Sequence, residues 1–390
     1  MFKKNNLMKK TLFIVILTVF FPITLILYLH FGIIVSAEIL RINKPITQIF
    51  DPNKCYGRSC LKGYEKYDWA NKLFYEFANT PYEFSGYTLY KKKNYKGEFL
   101  NIYTNDNIRL TKDPIKLKND LNAYIFGGSA AWGFGTKDDL TFASLFSNKF
   151  GIKTYNYAQG GWHSSQNLIE LTRLISRNKK LDIVIFFEGF NDAVSLCRKD
   201  QNENFFNSSY VKTYNEKIYK KIDPASLENF FSVFHKLVTV IKYRLIKNYH
   251  EKRVYAQSDS QYDCHLDSIK NKKAAEYMIN NWLQAKNLVE SRGGKFYVIL
   301  QPAPFFDNTK MDHIIELHNI ANRDKSFSES FISFYQLVSD NLKKENFFLD
   351  LKGIFENKYD YIHIDYSGHF YPEGYNDIII AFENKYRDEF

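Results

Sequence analysis

A chain of 390 residues is long enough for one large domain with insertions, or for two domains. Its 45% hydrophobic and 25% charged content is that of a globular protein and excludes a disordered one. The net charge of +10 does not indicate a nucleic-acid reader: Lys3, Lys4, Lys9 and Lys10 supply four of the charges, and the other lysines are scattered among acids without a basic helix or aromatic–basic motif.

Residues 1–10 form a basic tail that is expected to stay in the cytoplasm. No Asp, Glu, Lys or Arg occurs in 11–36, and the apolar run 12–35 exceeds the ~20 residues needed to cross a hydrocarbon core. The lysines in front of it orient an anchor at 11–36 with its N-terminus inside. This predicts a single-pass protein of the inner (cytoplasmic) membrane whose remaining chain is periplasmic or extracellular. The rival is a cleaved signal peptide ending at Val35-Ser36-Ala37, although signal cores usually run only about 7–15 residues. Four cysteines fit an oxidising compartment. The expected disulfides are Cys55–Cys60 and Cys197–Cys264, among the three pairings that four cysteines allow. Zinc is the alternative, but one C-x4-C without a second close pair is a weak metal signature.

Residues 37–117 show no strong period and read as a stalk and an irregular preface. From 118 onward strands and helices alternate to the end of the chain. Strands are predicted at 123–126, 153–157, 181–187, 296–300 and 347–351, the third as an apolar run of the kind buried on both faces. Helices are predicted at 140–150, 165–176, 274–289, 332–343 and 378–386. Residues 199–271, rich in Asn, Lys, Tyr and Ser with one helix at 230–246, read as an insertion that leaves the sheet beside the site as a lid or side wall. The alternation predicts an α/β fold with a largely parallel central sheet covered on both faces.

Four segments carry chemistry-bearing residues. Phe126-Gly127-Gly128-Ser129 delivers a hydroxyl to the end of the first of these strands, the edge at which open α/β sheets bind ligands. Asn156-Tyr157-Ala158-Gln159-Gly160-Gly161-Trp162 follows the second, with Trp162 expected in the cleft wall. Glu188-Gly189-Phe190-Asn191-Asp192 ends the third, and Asp365-Tyr366-Ser367-Gly368-His369 precedes the last helix. In this order the set resembles the SGNH (GDSL-type) hydrolase superfamily over 118–390, the insertion apart. The resemblance implies a flavodoxin-like three-layer sandwich with a central parallel sheet. It also implies Ser129 as nucleophile, His369 as base and then acid, and Asp365 as its partner. Oxyanion donors would be the backbone N–H of Ser129 and of Gly161 (or of Gly160) and the amide of Asn191.

One departure stands out. The family usually places its aspartate three residues before the histidine. Here that position is Tyr366, and Asp365 sits four before His369. Asp360-Tyr361-Ile362-His363 has the usual spacing, but only His369 is followed by Pro372-Glu373-Gly374 and the closing helix. The expected protein is a membrane-anchored serine esterase that removes O-acetyl or other O-acyl groups from cell-envelope polysaccharide. No cofactor or metal is needed for this chemistry, and no nucleic-acid partner is expected. A polysaccharide O-acetyltransferase using the same site is the alternative, as is a non-catalytic glycan-binding protein on the same scaffold.

Overall fold

A computed structural model describes residues 50–103, 106–118, 120–199, 261–317 and 325–390, besides Phe21 and Tyr28. These residues from 50 onward belong to one unit, Phe50–Lys212 with Ser258–Phe390. The expected anchor apart from Phe21 and Tyr28, the helix at 230–246 and most of the insertion lie outside the described residues. Among the described residues no helix is long and apolar enough to cross a membrane.

The first part of the unit contains α1 (Ala70–Asn79), β1 (Tyr82–Ser85), β2 (Leu89–Lys92), β3 (Tyr95–Lys96), β4 (Asn101–Tyr103) and β5 (Ile108–Arg109). The α/β alternation follows with β6 (Asn122–Gly127), α2 (Ser129–Trp132), α3 (Phe142–Phe150), β7 (Lys153–Asn156), α4 (Ser164–Ser176), β8 (Ile183–Glu188) and α5 (Phe190–Leu196). It resumes with α6 (Ser268–Glu290), β9 (Lys295–Leu300), α7 (Asp312–Leu317), α8 (Lys325–Leu342), β10 (Phe348–Asp350) and α9 (Pro372–Tyr386).

The central sheet runs β10-β9-β8-β6-β7-β5-β4-β3. Its first five strands are parallel. Numbered among themselves in chain order, they lie 2-1-3-4-5 across the sheet, the doubly wound order seen in flavodoxin. Side chains that alternate along a strand build two cores. Ile183, Ile185 and Phe187 join Ala123, Ile125, Tyr297 and Ile299 on one face, under Leu73 of α1, Phe146 of α3 and Phe382 of α9. Val184 and Phe186 join Tyr124, Phe126, Phe296 and Val298 on the other, under Leu174 of α4, Trp282 of α6 and Val338 of α8. A strand apolar on both faces needs both layers, which is why 181–187 carries no alternation.

The expected boundary at 117/118 does not divide the structure. The preface is part of the fold: β3, β4 and β5 extend the sheet in antiparallel fashion beyond β7, and α1 is packed into one core. Strands of two or three residues are too short to show a hydrophobic period. Helix α6 starts six residues before the expected position because the Asp267 side chain accepts from the Lys270 N–H at 2.9 Å, an N-cap inside the supposed insertion. Pro372 opens α9, where its missing N–H is harmless. Both expected disulfides, Cys55–Cys60 and Cys197–Cys264, are formed.

Candidate active site

The order of the parallel strands reverses between β6 and β8, and a crevice opens at the carboxyl ends of strands at such a point. Ser129 follows β6 there and Asn191 follows β8. Gly128 holds an extended backbone and ends the strand, so Ser129 opens the single turn of α2. A Cβ on Gly128 would collide with the Asn191 side-chain nitrogen, so only glycine lets the Ser129 segment lie this close to the third segment. The turn is held from outside. Arg109 of β5, fully buried, donates to the carbonyls of Trp132, Gly133 and Thr136 at 3.0, 2.6 and 2.6 Å and to Asp138 at 2.9 Å. Tyr375 of α9 donates to the Ala130 carbonyl at 2.8 Å.

Ser129, His369 and Asp365 are brought together. His369 Nδ1 lies 2.9 and 2.8 Å from the two Asp365 oxygens, and its Nε2 lies 2.6 Å from Ser129 Oγ. An ionised carboxylate only accepts, so Nδ1 carries the proton and Nε2 is left to accept from the serine hydroxyl. The extra residue between Asp365 and His369 is absorbed by the loop. Ile364 N–H donates to the His369 carbonyl at 2.8 Å, and Ser367 N–H donates to Asp365 Oδ1 at 2.9 Å. Gly368 takes φ +70°, a left-handed conformation that a side chain would strain, and its carbonyl accepts from Gln301 Nε2 at 2.8 Å. The shifted aspartate therefore reaches its histidine. Burial alone would raise the Asp365 carboxyl, but His369, Arg58 and the Ser367 amide hold it well below the usual carboxylate range.

The rival histidine has another partner. The side chains of His363 and Asp307 are both wholly buried and meet at 2.8 Å, so Asp360 plays no part in that pair.

Asn191 Nδ2 donates to the Trp162 carbonyl at 2.7 Å, which spends one of the two amide hydrogens beside Gly128. A Cβ on Gly160 would lie 3.9 Å from Ser129 Cβ, and one on Gly161 would meet Tyr90 Oη. It is thus the Cα of Gly160 that faces Ser129, and the Gly161 amide is the next group along the chain. Asp192 accepts from the Ser164 N–H and hydroxyl, and Glu188 accepts from Asn167 and Trp282. Burial pushes both carboxyls up. Trp162 does not wall the cleft as expected. It is fully buried and donates to the Tyr90 carbonyl at 3.0 Å, which pins the β1–β2 hairpin over this segment. The hairpin puts half-exposed Tyr82 at the cleft instead, its hydroxyl near the Gly160 turn.

Sequence reasoning missed Arg58, Arg109, Gln301 and Tyr82. Only Gln301 carried a signal, as a polar residue ending a strand at the ligand-binding edge. Among the described residues no group of three or more His, Cys, Asp and Glu is arranged to hold a metal ion.

Solved structures similar to this chain include a member of the lipolytic G-D-S-L family from Veillonella parvula, at 10% identity over 69% of this chain and 98% of that one, with a TM-score of 0.35. A putative arylesterase from Agrobacterium tumefaciens is 13% identical over 69% of this chain and 100% of that one, with a TM-score of 0.33. A carbohydrate acetylesterase from Sinorhizobium meliloti is 12% identical over 70% of this chain and 100% of that one, with a TM-score of 0.35. No protein family model and no curated protein matches the chain.

Proposed function

We propose that this chain is a serine ester hydrolase. The observation that carries the reading is the hydrogen-bonded chain from Ser129 Oγ through His369 to Asp365, at 2.6 and 2.8 Å, standing at the crevice end of the sheet. Ser129 Oγ attacks the ester carbonyl as His369 Nε2 takes its proton, and a tetrahedral oxyanion forms. The imidazolium gives that proton to the leaving alcohol, the ester C–O bond breaks, and the acyl group stays on Ser129. Water then attacks the acyl carbonyl by the same route, with its proton passing through His369 back to Ser129 as the acid leaves. Asp365 keeps the ring oriented and balances the charge of the imidazolium.

The oxyanion is received by the amides of Ser129 and Gly161 and by the second N–H of Asn191. Asn191→Ala is expected to lower kcat about 100- to 1000-fold with little change in KM, because the donor acts only once charge develops. A KM effect with unchanged kcat, measured on a small ester, would assign Asn191 to substrate binding instead.

The natural substrate we propose is an O-acyl ester, such as an O-acetyl group, on a cell-envelope polysaccharide. The support is the membrane anchor expected at 11–36, the two disulfides, and the resemblance of the four segments. A sugar hydroxyl in place of water would make the same site an O-acetyltransferase. The experiment is hydrolysis of a small aryl acetate by the detergent-solubilised full chain, with and without added glycan. Release of aryl alcohol and acetate is expected. A folded chain that releases neither, or that chiefly moves acetyl to glycan, overturns the hydrolase reading.

A further inference from the structure

The loop between Cys55 and Cys60 lies within the region expected to be an irregular preface, yet its Arg58 reaches the candidate triad. Arg58 Nη1 is 2.5 Å from Asp365 Oδ2, and its side chain is 26% exposed against 1% for the aspartate. The guanidinium carbon also lies 5.1 Å from the centre of the Phe134 ring, which stands 4.4 Å from the His369 ring. Arg58 therefore bears on both members of the Asp365–His369 pair. Asp365 is held at its two oxygens by different groups, the Ser367 amide on Oδ1 and Arg58 on Oδ2, and this sets the carboxylate plane that faces Nδ1.

The loop is built to hold that residue. The Cys55–Cys60 disulfide closes it. Within it, Ser59 N–H donates to the Tyr56 carbonyl at 3.0 Å and Tyr56 N–H reaches Ser59 Oγ at 3.1 Å. Tyr56 N–H and the Ser59 hydroxyl both donate to Asn71 Oδ1 on α1, at 3.1 and 2.9 Å. A disulfide-closed loop so tied, with four residues between its cysteines, leaves Arg58 few alternative positions, and the guanidinium keeps its charge at every relevant pH.

We propose that Arg58 is a positioning residue for the Asp365–His369 pair, presented by the Cys55–Cys60 loop. The inference rests on the esterase reading. Arg58 thereby keeps the imidazole aimed at Ser129, and a small loss of aim is costly in rate. The groups that face the pair are Arg58, the Ser367 amide, Ser129 and Phe134, with Tyr64, Tyr371 and Tyr375 nearby. Burial pushes the hydroxyls of those three tyrosines up, so they stay neutral, and Arg58 is the cation of the set.

The test uses the full chain and a small aryl acetate, with kcat and KM measured. Arg58→Gln is expected to lower kcat about 10- to 100-fold and leave KM within about twofold. Arg58→Lys, which keeps the charge but not the guanidinium that lies against Phe134, should recover only part of kcat. Cys55→Ser with Cys60→Ser should lower kcat in the parent and add nothing in the Arg58→Gln background, since both changes act on the same contact. An active parent whose folded Arg58→Gln variant keeps the parental kcat overturns this inference alone, as does a rise in KM at unchanged kcat. If Arg58→Gln does not fold, Arg58→Lys decides by its kcat, and a parental value overturns the inference. A folded parent without hydrolysis overturns both the esterase reading and this one.

Discussion

Ser129→Ala is expected to reduce ester hydrolysis by the full chain to near the uncatalysed background, a loss on the order of 10⁴-fold or more in kcat. The hydroxyl is the group that His369 Nε2 meets at 2.6 Å, and alanine leaves that nitrogen without the proton it is placed to take. The donors around the crevice survive the change, so only a small residual rate through direct attack by water is expected. Because the serine is only partly buried at the head of α2, removing one oxygen should leave the fold alone. The substitution therefore separates chemistry from stability. Unfolding midpoints within a degree or two of the parent, with hydrolysis gone, are the expected pair of results. Hydrolysis that persists at a tenth or more of the parental rate would remove Ser129 from the reaction.

The parts of this architecture that could be read in advance are those in which local chemistry and the fold agree. Ser129 and Asn191 were legible because each stands directly behind an apolar run, with glycines at the turn. The two-faced strand β8 was legible because burial on both sides demands an unbroken apolar sequence. Asp365 as a candidate was legible, but its reach was not. That depends on a left-handed Gly368, a bond from the Ser367 amide and a carbonyl held by Gln301, none of which follows from the spacing of two residues. The preface was illegible for a different reason. β3 and β5 have two residues each, and their pairing is decided by their neighbours, β4 for β3 and the edge of β7 for β5, rather than by any period of their own. Arg109 and Arg58 come from this region and act at the site only because the chain folds back across it. Trp162 misled because it lies next to the expected oxyanion glycine, while its ring turns into the interior to hold the β1–β2 hairpin.

Asp365→Asn is expected to lower kcat on the order of 10³- to 10⁴-fold while changing the acid stability of the fold in a defined direction. An amide in place of the carboxylate can offer Nδ1 of His369 a donor as well as an acceptor, so the tautomer that leaves Nε2 free to accept from Ser129 is no longer enforced. The charge that balances the imidazolium is lost as well. The stability effect follows from the depressed carboxyl of Asp365. A carboxyl whose folded value lies below its unfolded value, about 3.9, stabilises the fold above that pH and loses this contribution as the pH falls through the folded value. The parent should therefore lose part of its stability on acidification below about pH 4, and Asp365→Asn should lack that part. At neutral pH the variant should be less stable by on the order of 2 kcal/mol, because Arg58 keeps only an amide where it had a carboxylate, with some relief from its partial exposure. The gap between the two proteins should then narrow as the pH is lowered. Thermal or denaturant unfolding at several pH values between neutral and about 3 reads this directly. A gap that stays constant or widens would mean that Asp365 is not held as an ion by His369 and Arg58. The orienting role assigned to it would then have to pass to the loop backbone alone.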